Sequence, residues 1–160
     1  RLLFLGLLMC MCFAYGQDII GQIALEDLKK EPFDEWFNTE YENYAPFGKT
    51  IAQLEGLQKD IAITVFMGTW CSDSQMHVPA FFRVLDALAF SGEVQIICVD
   101  RDKKTPTGSA PQNGITNVPT FIFYKDGKEV HRIVESPVEF LEDDMLAILS
   151  GAAYKHTYEN

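Results

Sequence analysis

Residues 61–82 read IAITVFMGTWCSDSQMHVPAFF, and this stretch decides the fold. Its opening, 61–67, is an apolar run rich in β-branched residues, the composition of a strand covered on both faces. Gly68-Thr69-Trp70-Cys71-Ser72-Asp73-Ser74 then turns the chain. Met76, Phe82, Leu85 and Leu88 mark the apolar positions of the helix that follows, which Ser91-Gly92 is expected to end. Residues 94–99 form a second apolar run. Strand, helix, strand is a βαβ unit, so the two strands are predicted to be parallel.

Towards the C-terminus a polar loop, 100–117, carries Pro106, Gly108, Pro111 and Gly114. Residues 120–124 and 129–134 flank Lys125-Asp126-Gly127-Lys128, whose Asp-Gly pair signals a β-hairpin. Ser136 precedes Pro137 and stands three before Glu139, which predicts a helix start there. Leu141, Met145, Ile148 and Leu149 give that helix its apolar face, and Gly151 is placed to end it.

Towards the N-terminus, Phe33, Trp36, Phe37, Tyr41 and Tyr44 recur at helical spacing after Pro32. This predicts an amphipathic helix laid on the domain as an extension, its aromatic stripe serving as core. Residues 46–48 break it, and Thr50, three before Gln53, suggests a capping box for a short helix bearing Ile51, Leu54 and Leu57. The expected architecture is α/β, a mixed sheet with helices on both faces.

A chain of 160 residues, 48% hydrophobic and 22% charged, suits one globular domain with a proper core. Its first residues differ from the rest: 2–13 are almost wholly apolar behind Arg1, and no acid occurs before Asp18. Ala14 and Gly16 put small residues three and one before Gln17, the anatomy of a signal peptide over 1–16 cleaved near Gly16. A buried N-terminal helix is the alternative. A lipoprotein signal at Cys10 or Cys12 ranks lower, because Met9 and Met11 stand where a small residue is wanted. The apolar run is too short to anchor in a bilayer. Losing 1–16 removes Arg1 and no acid, taking the net charge from -10 to -11. That balance argues against nucleic acid or anionic membrane as partners. The expected mature domain is 17–160, with an extension over 17–60 and a core over 61–150.

That domain keeps two cysteines, Cys71 and Cys98. Cys71 falls where strand turns to helix, and backbone N–H groups at a helix start favour a thiolate. Ser74 can point its hydroxyl at the same sulfur, whereas the charge of Asp73 opposes the thiolate. Cys98, within a strand, reads as a small core hydrophobe. Trp70 is either a wall for substrate or a cover for the helix start. His77 reads as a bystander; His131 and His156 have no evident partners, and the histidines and cysteines make no metal site. No cofactor is implied.

At these residues the chain resembles the thioredoxin family, over about 61–149. Trp70-Cys71 matches the Trp-Cys that opens the family's Cys-x-x-Cys motif. Pro79 matches the proline that kinks the active-site helix, Val118-Pro119-Thr120 the segment with the cis-proline, and Asp126-Gly127 the turn beyond it. The resemblance implies a three-layer α/β/α sandwich with a C-terminal hairpin and helix. It also implies a cis Pro119 beside the reactive sulfur, and Val118 pairing with substrate peptide. Three positions depart from the family pattern. Ser74 replaces the second motif cysteine, Val65 the buried acid, and Glu135 the glycine after the hairpin. Gly68-Thr69-Trp70-Cys71-x-Asp73-Ser74 is similar to a group of exported bacterial thioredoxin-like proteins.

The expected function is thiol–disulfide exchange outside the cytoplasm with Cys71 and Ser74 as catalytic residues and Trp70, Val118 and Pro119 holding substrate. Its partners would be a disulfide-containing protein or peptide and an external thiol reductant, the chain acting as a monomer. The rival is a non-catalytic module that binds a peptide or protein at the same surface. A peroxidase-like reading is set aside, because Gly68 stands three before Cys71 where a threonine is wanted.

Overall fold

The structure is a computed structural model and describes residues 18–108 and 114–159. The leader reading of 1–16, with Cys10 and Cys12, lies outside the described residues. In chain order come β1 (Gly21–Ile23), α1 (Leu25–Leu28), α2 (Asp34–Asn43), α3 (Gly48–Leu54), β2 (Ile61–Met67) and α4 (Ser72–Ala87). These are followed by β3 (Val94–Cys98), β4 (Thr120–Lys125), β5 (Lys128–Val134) and α5 (Leu141–Ser150).

The five strands form one mixed sheet in the order β1-β3-β2-β4-β5. The βαβ reading holds: β2 and β3 are parallel, with Val65 opposite Ile96. β4 runs antiparallel to both β2 and β5, the latter through the Asp126-Gly127 turn, where both residues have positive φ. β1 pairs antiparallel with β3 at the edge. Three residues are too short for an alternation pattern, so nothing in the sequence announced it.

Side chains alternate across the sheet and build two cores. Ile61, Ile63, Val65, Met67, Ile96, Cys98, Phe121, Phe123 and Ile133 face Leu28, Phe37, Leu54, Phe81, Leu85, Leu141, Met145 and Ile148 of the described helices. Phe66, Val99, Ile115, Val118 and Ile122 make the smaller core opposite, with Trp70 and Cys71 packed against it. Among the described residues, the cover on that side comes from the segment after β3.

Several element boundaries differ from the sequence reading, and at the start of α3 the reason is a partner distant in sequence. α4 stops before Ser91-Gly92. Ala89 turns left-handed (φ 48°) while Phe90 N–H reaches Leu85 O, closing the helix at Ala87. Gly92 has a different use, since a Cβ there would collide with the Ile61 carbonyl. α2 starts at Asp34, two residues beyond Pro32. Thr50 caps nothing; its hydroxyl donates to Asp143 Oδ1 on α5 (2.8 Å). Phe47 precedes α3, and its N–H donates to Glu142 Oε1 (2.7 Å), again from α5. α5 begins at Leu141 rather than near Ser136, and the Asp144 carboxylate gathers the N–H groups of Val138 and Glu139. Gly151 does end it, left-handed at φ 75°.

Candidate functional site

The Gly68–Cys71 turn between β2 and α4 is held from several sides. Cys71 N–H donates to Gly68 O (3.0 Å), and Gln75 Nε2 donates to Thr69 O (2.7 Å). Trp70 lies flat over the turn because Gly68 leaves room; a Cβ on Gly68 would come within 2.5 Å of the indole. The indole N–H donates to Val99 O (2.9 Å), and the Arg101 guanidinium sits 5.0 Å over the ring. Trp70 therefore covers the helix start, with part of its surface exposed.

Cys71 is the N-cap of α4, half-buried and unpaired. Its sulfur lies 3.2 Å from the carbonyl oxygen of Val118 and 3.8 Å from Asp73 Oδ2. The Val118–Pro119 bond is cis, and both residues are buried. A loop 47 residues away thus meets the helix start at the sulfur.

Two expectations are corrected at the sulfur. Cys71 makes no side-chain capping bond to the helix N–H groups. Ser74 does not reach the sulfur either: fully buried, its Oγ accepts the N–H of Gly68 (3.2 Å). Among the described residues, the polar partners of Sγ are both acceptors, so the S–H form is the one they satisfy. Of the predicted site residues, Trp70, Cys71, Val118 and Pro119 converge, while Ser74 braces the turn from beneath.

Val65, at the position of the missing acid, is fully buried among apolar side chains. Glu135, where a glycine was expected, keeps a glycine-like backbone with φ 64°. Its N–H donates to Pro119 O (2.7 Å), and its carboxylate accepts from Asn117 Nδ2. Pro79 lies inside α4, where its missing N–H leaves a gap in the helical ladder. Cys98 is fully buried, and that burial pushes its thiol up to about 12. A thiol so enclosed is no resolving partner for Cys71.

The reading of the histidines needs one correction. His131 and His156 do have a partner: both direct Nε2 at Glu159 Oε2, at 3.5 and 3.8 Å. Each also accepts a backbone N–H at Nδ1, from Arg132 and Tyr158. Among the described residues no cluster of histidine, cysteine and carboxylate could hold a metal ion. Burial lowers the pKa of His77 against the fields of Asp73, Glu40 and Glu135. Sequence reasoning missed Arg101 on Trp70 and the tie of Gln75 to the turn, because neither contact leaves a local pattern.

A cysteine at the start of a helix, beside a cis-proline loop, on a mixed sheet closed by a hairpin and helix defines a thioredoxin-type α/β protein. A family model described as Thioredoxin matches residues 38–146, and the chain belongs to the thioredoxin family. A thioredoxin of Staphylococcus haemolyticus is 32% identical over 82 residues, 50% of this chain and 73% of that protein. The thioredoxin of Gallus gallus is 29% identical over 98 residues, covering 61% and 89%. The chloroplastic thioredoxin Y of Oryza sativa subsp. japonica is 34% identical over 79 residues, but the match spans only 44% of its length. A solved protein of unknown function from Pseudomonas aeruginosa shares the fold. Its TM-score is 0.55 at 18% identity, covering 75% of this chain and 82% of that one.

Proposed function

We propose that this chain is a thiol–disulfide exchange protein working outside the cytoplasm with one reactive thiol, Cys71. The observation that carries the reading is the half-exposed sulfur at the head of α4, within 3.2 Å of the Val118 carbonyl and beside cis Pro119. Once ionised, Sγ attacks one sulfur of a bound disulfide; the S–S bond breaks and a mixed disulfide forms on Cys71. The departing sulfur leaves as thiolate and takes up a proton. Ser74 cannot expel the bound product, so the second exchange falls to a substrate thiol or an external thiol reductant. The substrate is a protein or peptide lying along Val118, Pro119 and Trp70, and the chain acts as a monomer.

The test is covalent capture. Reduced protein exposed to an oxidised extract from the same compartment should yield disulfide-linked adducts that vanish with Cys71→Ala and on adding dithiothreitol. Ser74→Cys, by restoring a second thiol, should release the adducts and bring insulin-reducing activity. Absence of any adduct, with no gain from Ser74→Cys, would remove the proposal.

One observation favours the rival reading, a peptide-binding module. Both polar partners of Sγ are acceptors, which suits a resting thiol. In that case Cys71→Ala leaves partner binding intact, and captured partners are held without a covalent bond.

A further inference from the structure

The carboxylate beside the sulfur has no cation of its own. Asp73 Oδ2 lies 3.8 Å from Cys71 Sγ, and among the described residues Asp73 enters no ion pair. Its position in the first turn of α4 fixes it at the mouth of the site. A second carboxylate, Glu135, follows the loop that carries Pro119, and with Asp73 it acts on His77. Among the described residues, Arg101 holds its guanidinium over the Trp70 ring. Lys104, further along that loop, is paired with Asp102. A disulfide brought to Sγ must therefore place its own charges within a few ångströms of an unmatched negative group.

We propose that Asp73 is a specificity-determining residue that selects cationic disulfides, such as those flanked by Lys or Arg, over anionic ones. This rests on the exchange reading above and names its substrate class. Two unit charges 4 Å apart interact appreciably even in water, and the interaction grows where solvent is partly excluded. Substrate cations next to the scissile bond are held near the sulfur, while anionic small disulfides are repelled. The chemistry is unchanged: Cys71 Sγ forms the new S–S bond, the leaving sulfur departs as thiolate, and no further oxidant is required.

The experiment measures mixed-disulfide formation on reduced protein by mass, with cystamine (cationic), 2-hydroxyethyl disulfide (neutral) and dithiodipropionate (anionic). Each rate is divided by that of a free small thiol with the same probe, which removes the probes' intrinsic reactivities. Wild type should favour cystamine over dithiodipropionate by about tenfold at low salt, falling towards unity at 1 M salt. Asp73→Asn should cut that ratio severalfold while leaving the fold, read by melting, in place. Reaction with the neutral probe monitors the thiol separately. An equal ratio in wild type and Asp73→Asn, or a wild-type preference for the anion, overturns the charge selection with the exchange reading intact. No adduct with any probe sinks the exchange reading itself.

Discussion

Gly68, three residues before the sulfur, owes its identity to Trp70, whose ring fills the space a side chain would need. Gly68→Ala is therefore expected to push the indole off the turn and break its bond to Val99 O. Overpacking of this kind costs about 1–3 kcal/mol, and a shifted Trp70 emission with a lower urea midpoint would register it. An unchanged spectrum would mean the turn yields instead. Ser74 is tied to the same turn: its Oγ takes the buried Gly68 N–H. Ser74→Ala strands that donor, at a cost of about 1–3 kcal/mol, without touching the alkylation rate of Cys71 if its role is bracing alone. Cys98 offers a contrast in reactivity. With its thiol pushed up to about 12 by burial, its peptide should resist iodoacetamide in native protein at pH 8 and label only after unfolding. The Cys71 peptide should label in both.

At the scale of elements, α5 closes the domain by serving other elements' backbones. Glu142, fully buried, accepts Phe47 N–H and the Tyr44 hydroxyl (2.6 Å), which fastens the end of α2 and the start of α3 to the C-terminal helix. Tyr44 is held firmly in its protonated form by burial and that carboxylate. Glu142→Ala should lower stability by about 1.5–3 kcal/mol, as expected for hydrogen bonds to a charged group. Glu142→Gln, able to accept only one of the two donors, should fall between. Equal stability of all three in urea would show the tie to be idle. These bonds also explain which boundaries were legible in the sequence. β2, β3 and the β4–β5 hairpin were readable from apolar runs and an Asp-Gly turn, signals confined to a few residues. The start of α3 was not, because Thr50 and Phe47 find their partners 93 and 95 residues away. Local capping patterns such as Thr50–Gln53 are outbid when a tertiary partner is better placed.

For the molecule as a whole, acid should be destabilising beyond the usual carboxylate range. His77 and His156 both have lowered pKa values, with burial the leading cause in each. A depressed group contributes stability that is complete above its unfolded value of 6.5 and is lost as pH falls through the lower, folded value. The melting temperature should therefore drop between pH 7.5 and pH 5, and the drop should shrink in His77→Gln. A drop of undiminished size in that variant would assign the acid response elsewhere. What the sequence determined unaided was the βαβ unit, the hairpin, the family and the place of Cys71 at the turn from strand to helix. Each is encoded in neighbours along the chain, through side-chain period and turn chemistry. What only the tertiary structure decided was the sulfur's surroundings: the Val118 carbonyl at its side, Ser74 turned away beneath, and Arg101 laid on Trp70. The first and last of these contacts join segments tens of residues apart, and which of several short polar side chains faces a given atom is set by packing that no local pattern records.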